Sequence, residues 1–407
     1  MKSKERVLSS INHIEPDKVP FDLGGTSVTG ISAMAYNKLK AKLGIDSPTR
    51  VFDVVQQLAM VDGQLIDSFG IDVLDINRLF MDDRSWHTCT LGDGSSGEYP
   101  DWFQPETADD GSYFIKDSKG RVMARMPLKG MCFDQTCFPW EEGYPENLSS
   151  IAEAFKSVNW TAHSHTSYIA IGDEELRART RQLRESTDKA IAMSGGVKLL
   201  ELGFFLRRMD NFLMDLLVDQ ANVTKLLDKL LDMHLSKLEK KLHAVGDLVD
   251  VIRFGDDLGM TKGPFMDLEV FRKLFLPRYK VLCDYVRQNS NMKIFFHSCG
   301  SIRQYIPDLI EAGFDIINPV QTNALGMDPV ELKQEFGREI TFWGGGVDNS
   351  MVLPSGTPED VRADVLKRCE ILSRGGGFIF APIHNILPEV PPENILAMQQ
   401  AVKEFNA

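Results

Sequence analysis

The sequence predicts an α/β fold, a TIM-type (β/α)₈ barrel carrying a β-rich insertion. Three observations lead there. Short apolar runs alternate with amphipathic stretches through the second half of the chain, and with two earlier runs they number eight. The later runs are apolar throughout rather than alternating, the mark of parallel strands covered on both faces. No Gly-x-Gly-x-x-Gly follows an early run, which disfavours an open doubly wound sheet.

Taken in order, residues 3–12 read as a short helix before a turn at Pro16. Val19-Pro20-Phe21-Asp22-Leu23 is the first apolar run, and Gly24-Gly25-Thr26 opens a loop after it. Residues 32–43 and 50–68 carry helical patterns, and 72–76 is the second short strand. From 81 to 145 Gly, Asp, Ser, Trp, Tyr and Pro dominate, and 111–124 reads as a hairpin with a polar turn. This stretch is expected as a β-rich insertion within a single barrel domain spanning 1–407. Helices are predicted at 147–158 and 173–187. The remaining strands are predicted at 189–194, 249–254, 292–297, 314–318, 340–343 and 377–381. Between them lie helices near 199–218, 223–245, 267–288, 301–312, 328–336 and 358–374.

The net charge of −13, with 58 acidic against 45 basic residues, offers no basic face for nucleic acid. No run approaches the ~18 apolar residues of a membrane span, and the N-terminus shows no secretory signal, so a cytoplasmic protein is expected. Six cysteines scattered over a chain of this size read as reduced thiols rather than a disulfide framework. Cys132-x₄-Cys137 has no second pair, so a structural zinc is not expected there.

A barrel of this kind keeps its chemistry at the C-terminal ends of the strands. Four ends carry polar groups. Asp256-Asp257 leaves a buried strand as two adjacent carboxylates, which need a cation or hydrogen-bond donors unless they cap a helix or reach solvent. His297-Ser298-Cys299 follows Ile294-Phe295-Phe296. Side chains at i and i+2 of a strand share a side, so His297 and Cys299 converge at the barrel mouth. A thiolate and an imidazole so placed suit Zn²⁺; the alternative is a buried thiol beside a hydrogen-bonded histidine. Asn318 and Gln321, after the next strand, either hold substrate or cap their loop. His384, one loop beyond the last strand, is a third ligand, a general acid or a satisfied loop histidine.

These blocks together resemble the uroporphyrinogen decarboxylase family. The resemblance rests on Glu5-Arg6-Val7-Leu8 with Pro16-Asp17-Lys18-Val19-Pro20, on Asp256-Asp257-Leu258-Gly259 with Gly263-Pro264-Phe265, and on Pro277-Arg278-Tyr279-Lys280. It continues in His297-Ser298-Cys299-Gly300-Ser301, Asn318-Pro319-Val320-Gln321, Gly345-Gly346-Val347-Asp348 and His384-Asn385-Ile386 with Pro391-Pro392-Glu393-Asn394. It spans nearly the whole chain and implies a TIM barrel, but a shared fold leaves the reaction open. The decarboxylases carry Arg-Gln-Ala-Gly-Arg after the opening motif to hold porphyrinogen carboxylates; here Leu23-Gly24-Gly25-Thr26-Ser27 stands in that place. His-x-Cys resembles instead the methyltransferase branch that works with corrinoid proteins. Its coenzyme M methyltransferases add a second cysteine near the last strand, where this chain has Pro382-Ile383-His384-Asn385. The departure leaves the third ligand to His384 or to an acid such as Asp257.

The resemblance implies a zinc-dependent methyltransferase. It would move a methyl group from a methoxylated aromatic (O-demethylation) to the Co(I) corrinoid of a partner protein. His297 and Cys299 would hold zinc, His384 would be the third ligand or the acid, and Asp257 a ligand or its orienting neighbour. Glu201, Asn318, Gln321 and Phe133 are the expected substrate contacts. The insertion's aromatics (Tyr99, Trp102, Phe103, Tyr113, Phe114, Phe133, Phe138 and Trp140) either roof an aromatic ring or build the insertion's own core. No Asp-x-His-x-x-Gly signature of a corrinoid-binding module occurs in the chain, so the corrinoid is expected on the partner. Methylation of a thiol from methylcobalamin, or a decarboxylase-like barrel without methyl transfer, are the alternatives. A homodimer is left open.

Overall fold

In the computed structural model, which describes residues 1–80, 85–158 and 171–407, seven parallel strands form one curled sheet. They are β1 (Val73–Asp75), β2 (Ala190–Ser194), β3 (Val251–Gly255), β4 (Lys293–His297), β5 (Ile316–Asn318), β6 (Thr341–Trp343) and β7 (Phe378–Ile379). Each pairs with the next in sequence. Residues 20–22 complete the circle. Phe21 bridges Phe380 in parallel, with Asp22 N–H on the Phe380 carbonyl and Phe380 N–H on the Pro20 carbonyl, each at 2.8 Å. On the other side Asp72 N–H donates to the Phe21 carbonyl at 2.8 Å. The result is the eight-stave TIM barrel that the run at 19–23 predicted.

The two-residue period of each strand divides the core in two. Val73, Ala190, Ala192, Val251, Phe295, Ile316, Trp343 and Ile379 point inward and pack together. Their neighbours Ile191, Met193, Ile252, Phe254, Ile294, Phe296, Ile317, Phe342 and Phe378 point outward, under the helices. This is why the strands read as unbroken apolar runs. The helix Ser3–Ile11 plugs the bottom of the barrel: Val7 and Ile11 join the inner cluster, and Ser10 Oγ donates to the Phe378 carbonyl at 2.6 Å. The far end is left for the site.

Several boundaries differ from the sequence reading. Residues 50–62 are not helical; Val51–Asp53 and Leu58–Ala59 pair antiparallel. Asp53 Oδ1 accepts the N–H groups of Val55 and Gln56, a local turn that competes with helix, and the helix is confined to Gly63–Phe69. The stretch 199–218 breaks at Arg208, where φ is +70°, into Leu200–Arg207 and Met209–Val218. Pro277 forces a similar break, giving Leu268–Leu274 and Leu276–Asn289. A terminal helix, Pro392–Phe405, was missed.

The first four residues of the expected 81–145 insertion lie outside the described residues. Beyond them the stretch is β-rich. Trp86–Thr90 pairs with Ser96–Pro100, and a four-stranded antiparallel sheet includes the predicted hairpin, Tyr113–Lys116 against Val122–Met126.

Closure leans on one carboxylate. Asp72 is buried; its Oδ2 accepts the Phe21 N–H at 3.0 Å and its Oδ1 pairs with Arg6 Nη1 at 2.7 Å. Asp72→Ala strands the buried Phe21 N–H and removes one of the two carboxylates that hold Arg6, leaving Asp17. We expect it to cost roughly 3 kcal/mol, seen as a melting temperature lower by several degrees in a thermal scan. An unchanged transition would show that this carboxylate does not secure the seam.

Candidate metal centre

His297 is the last residue of β4. The register sets it opposite Gly255 of β3 on one side and Asn318 of β5 on the other. Its Nδ1 lies 2.7 Å from Asn318 Oδ1. Asn318 Nδ2 donates to the Trp343 carbonyl at 2.7 Å, so its oxygen is the end that faces the ring. Nδ1–H is therefore the donor, and the lone pair of Nε2 points away, towards Cys299 Sγ at 3.6 Å. An outer partner that fixes the tautomer in this way is the usual companion of a metal-ligating histidine.

The loop after β4 holds Cys299 in place by backbone contacts. Asp257 Oδ1 accepts the Cys299 N–H at 2.8 Å and also lies 3.8 Å from His297 Nε2. Gly300 adopts φ +87°; a Cβ there would sit 2.4 Å from the Gly259 carbonyl. Gly300 N–H donates to Gln321 Oε1 at 2.8 Å. His384 arrives from the loop after β7, its ring centroid 5.5 Å from that of His297. The donor atoms of His297, Cys299 and His384 all lie within 4.8 Å of one another.

The His297–Cys299 pair fits a tetrahedral dication, and His384 lies close enough to offer a third donor. Zn–N and Zn–S bonds of about 2.0 and 2.3 Å at the tetrahedral angle put N and S about 3.5 Å apart, close to the 3.6 Å between His297 Nε2 and Cys299 Sγ. Burial pushes His297 down to about 3, with His384 adding and Asp257 opposing. It lowers His384 as well. Burial, with Asp257 and Glu201 adding, pushes the Cys299 thiol well above its usual range. Neutral imidazoles are ready ligands, whereas the thiol needs a cation to ionise it.

The centre opens into a cavity of about 300 Å³ lined by Phe133, Glu201, Asp257, His297 and His384 among others. Thus most of the predicted residues meet at one place. Asn318 and Gln321 do not line the cavity. Asn318 is fully buried between His297 and the Trp343 carbonyl, and Gln321 braces Gly300 and Thr261. The aromatics of the insertion mainly pack on one another, Tyr99 on Phe103 at 5.0 Å and Phe103 on Phe133 at 5.6 Å. Of these, Phe133 reaches the cavity, anchored by its N–H on the Val55 carbonyl.

Sequence reasoning missed Lys198, Arg253 and Phe205, which also line the cavity. Arg253 had a readable signal: a lone cation in an apolar strand, two residues after the inward Val251. Its Nη2 donates to Ser27 Oγ at 3.0 Å. Asp256 proves to be the buried partner of donors rather than a cavity group. It accepts Leu199 N–H, Glu201 N–H and Tyr279 OH at 2.5, 2.8 and 2.6 Å.

Residues 201–405 match the family model described as uroporphyrinogen decarboxylase (URO-D). Uroporphyrinogen decarboxylase of Methylococcus capsulatus is 28% identical over 195 residues, 46% of this chain and 50% of that protein. The Pseudoalteromonas translucida enzyme of that name is 28% identical over 185 residues, 45% of this chain and 48% of its own length. The chain spans about half the length of the curated relatives it matches. A solved structure, described as a methyltransferase from Methanosarcina mazei, superposes with a TM-score of 0.61 and 16% identity, covering 100% of both chains. At that identity it shares the fold.

Gly300 is the test of the loop. Gly300→Ala combines left-handed strain with a backbone clash and should cost upwards of roughly 3 kcal/mol. The expected reading is a melting temperature depressed by several degrees. Wild-type stability in this variant would mean that Gly259 and Gly300 do not approach as described.

Proposed function

The chain belongs to the uroporphyrinogen decarboxylase family, and we propose that within it the protein is a zinc-dependent methyltransferase of the corrinoid-linked kind. It takes a methyl group from a methoxylated aromatic and passes it to the Co(I) corrinoid of a partner protein. The observation that carries the reading is the convergence of His297, Cys299 and His384 at the barrel mouth. The loop at 23–27 lacks the arginines that the porphyrinogen decarboxylases carry there for their substrate's carboxylates. The methyltransferase fold neighbour agrees with the reading.

Phenoxide leaves poorly, so an aryl methyl ether needs help at oxygen. Zinc, when bound, supplies Lewis acidity there. His297 and Cys299 would hold it, with His384 as the protein's third ligand. Asp257 steadies Cys299 through its N–H. Asn318 keeps the His297 Nε2 lone pair on the side of the Cys299 sulfur, where it would serve the metal. Gln321 acts at one remove by fixing Gly300. Phe133 and Phe205 give the cavity apolar faces against which a substituted ring packs.

Purified protein should carry about one zinc per chain, and Cys299→Ala should lose it in metal analysis. Asn318→Ala should retain the fold but weaken zinc binding by about 10- to 100-fold. Wild-type protein without affinity for zinc would overturn the assignment.

Activity provides a separate check. With a Co(I) corrinoid acceptor, methoxybenzoates should yield the corresponding phenols, and porphyrinogens should release no carbon dioxide. Thiol methylation from methylcobalamin, with no reaction of methoxyarenes, would point instead to a coenzyme M-type enzyme.

A further inference from the structure

The two histidines of the centre are steered differently. Asn318 holds the His297 ring through Nδ1. Among the described residues no hydrogen bond reaches the His384 ring, whose aim is left to the chain on either side of it. We infer that Asn385 is the positioning residue that turns His384 to the metal, by pinning the loop after β7 to the loop after the first stave. This rests on the zinc part of the reading above, and Asn385 itself does not line the cavity.

Asn385 is buried and spends its whole side chain on that junction. Its Oδ1 accepts the Gly30 N–H at 2.6 Å. Its Nδ2 donates to the Ser27 carbonyl at 3.1 Å and to Gln56 Oε1 at 3.0 Å. The orientation is unambiguous, because the Gly30 N–H can only donate and the Ser27 carbonyl can only accept. Gln56 is set in turn by its Nε2, which donates to the buried Asp53 Oδ2 at 2.9 Å. A Cβ on Gly30 would stand 3.3 Å from Asn385 Oδ1 and 3.2 Å from Leu58 Cδ1, so glycine permits the close approach.

The backbone on both sides is tied as well. Ile386 N–H donates to the Gly30 carbonyl at 2.9 Å, and Ser32 N–H to the Ile386 carbonyl at 2.8 Å. Ile383 N–H donates to the Val347 carbonyl at 3.2 Å. His384 is thus carried between two anchored neighbours. The mount is stiff: the Thr26 and Thr29 hydroxyls meet at 2.9 Å, Gly24 N–H donates to the Thr29 carbonyl at 2.7 Å, and Arg253 Nη2 holds Ser27 Oγ at 3.0 Å. The stretch that lacks the decarboxylase arginines therefore has another part here, as the backrest of the third ligand. Metal–ligand distances tolerate only about ±0.2 Å, so a small turn of the loop takes the imidazole out of range.

The test is a double-mutant cycle on the full-length chain, read as zinc affinity in competition with a chelating dye. Asn385→Ala should remain folded and bind zinc about 10-fold or more weakly. His384→Ala should lose at least as much. The double variant should match His384→Ala within about 3-fold, because a ligand already turned away loses nothing more on removal. Cobalt(II) in place of zinc gives a second readout. Asn385→Ala should keep the thiolate-to-metal absorption of Cys299 while its visible bands change as they do in His384→Ala. Asn385→Ser, which can still serve the Gly30 N–H, should show a smaller loss in the same direction and carries the cycle if the alanine variant does not fold. Unchanged affinity in the Asn385 variants, or losses that multiply in the double variant, would overturn the positioning role while leaving the metal centre intact. A wild-type protein that binds neither zinc nor cobalt(II) would overturn the metal reading, and this inference with it.

Discussion

The register between β3, β4 and β5 is the constraint on which the site depends. It puts His297 level with Gly255 on one side and Asn318 on the other. Gly255 contributes no side chain, so space opens beside the imidazole. Asn318 is locked by the Trp343 carbonyl, and that lock fixes which ring nitrogen carries the proton. A shift of one residue in β4 would turn His297 under the helices and bring Phe296 into the barrel. The inner apolar layer, with Phe295 and Trp343 packed edge to face at 5.3 Å, opposes such a slip.

The two adjacent carboxylates after β3 divide their work. Asp256 turns into the protein and gathers three donors, two of them from the start of the helix that bears Glu201. Asp257 turns to the mouth and receives the Cys299 N–H. One peptide unit thereby ties the helix carrying Glu201 to the loop carrying the thiol. The arrangement also answers the sequence puzzle of two neighbouring acids leaving a buried strand. One is satisfied by donors, and the other stands at the partly exposed cavity wall.

The aromatic insertion is mostly occupied with its own packing. Tyr99, Phe103 and Phe133 form an edge-to-face series, and Tyr99 and Phe103 are buried away from the cavity. Phe133 is the member whose backbone is carried to the mouth by its hydrogen bond to Val55. Composition alone could not separate these roles, because aromatic side chains are rich in both cores and binding walls.

The eight staves and the nearness of His297 to Cys299 are legible in the residue pattern. Both follow from short-range periodicity: apolar runs mark strands buried on two faces, and i, i+2 positions share a side. The breaks at Asp53 and Arg208 were hidden because side-chain-to-backbone bonding and a left-handed residue leave the hydrophobic pattern unchanged. That His384 joins the pair, that Asn318 stands behind it, and that Lys198 and Glu201 share its cavity emerges only on folding. Those choices depend on barrel closure, which sets loops from distant staves around one mouth. Nothing in the spacing from residue 198 to residue 384 encodes that proximity; the circular order of the strands creates it.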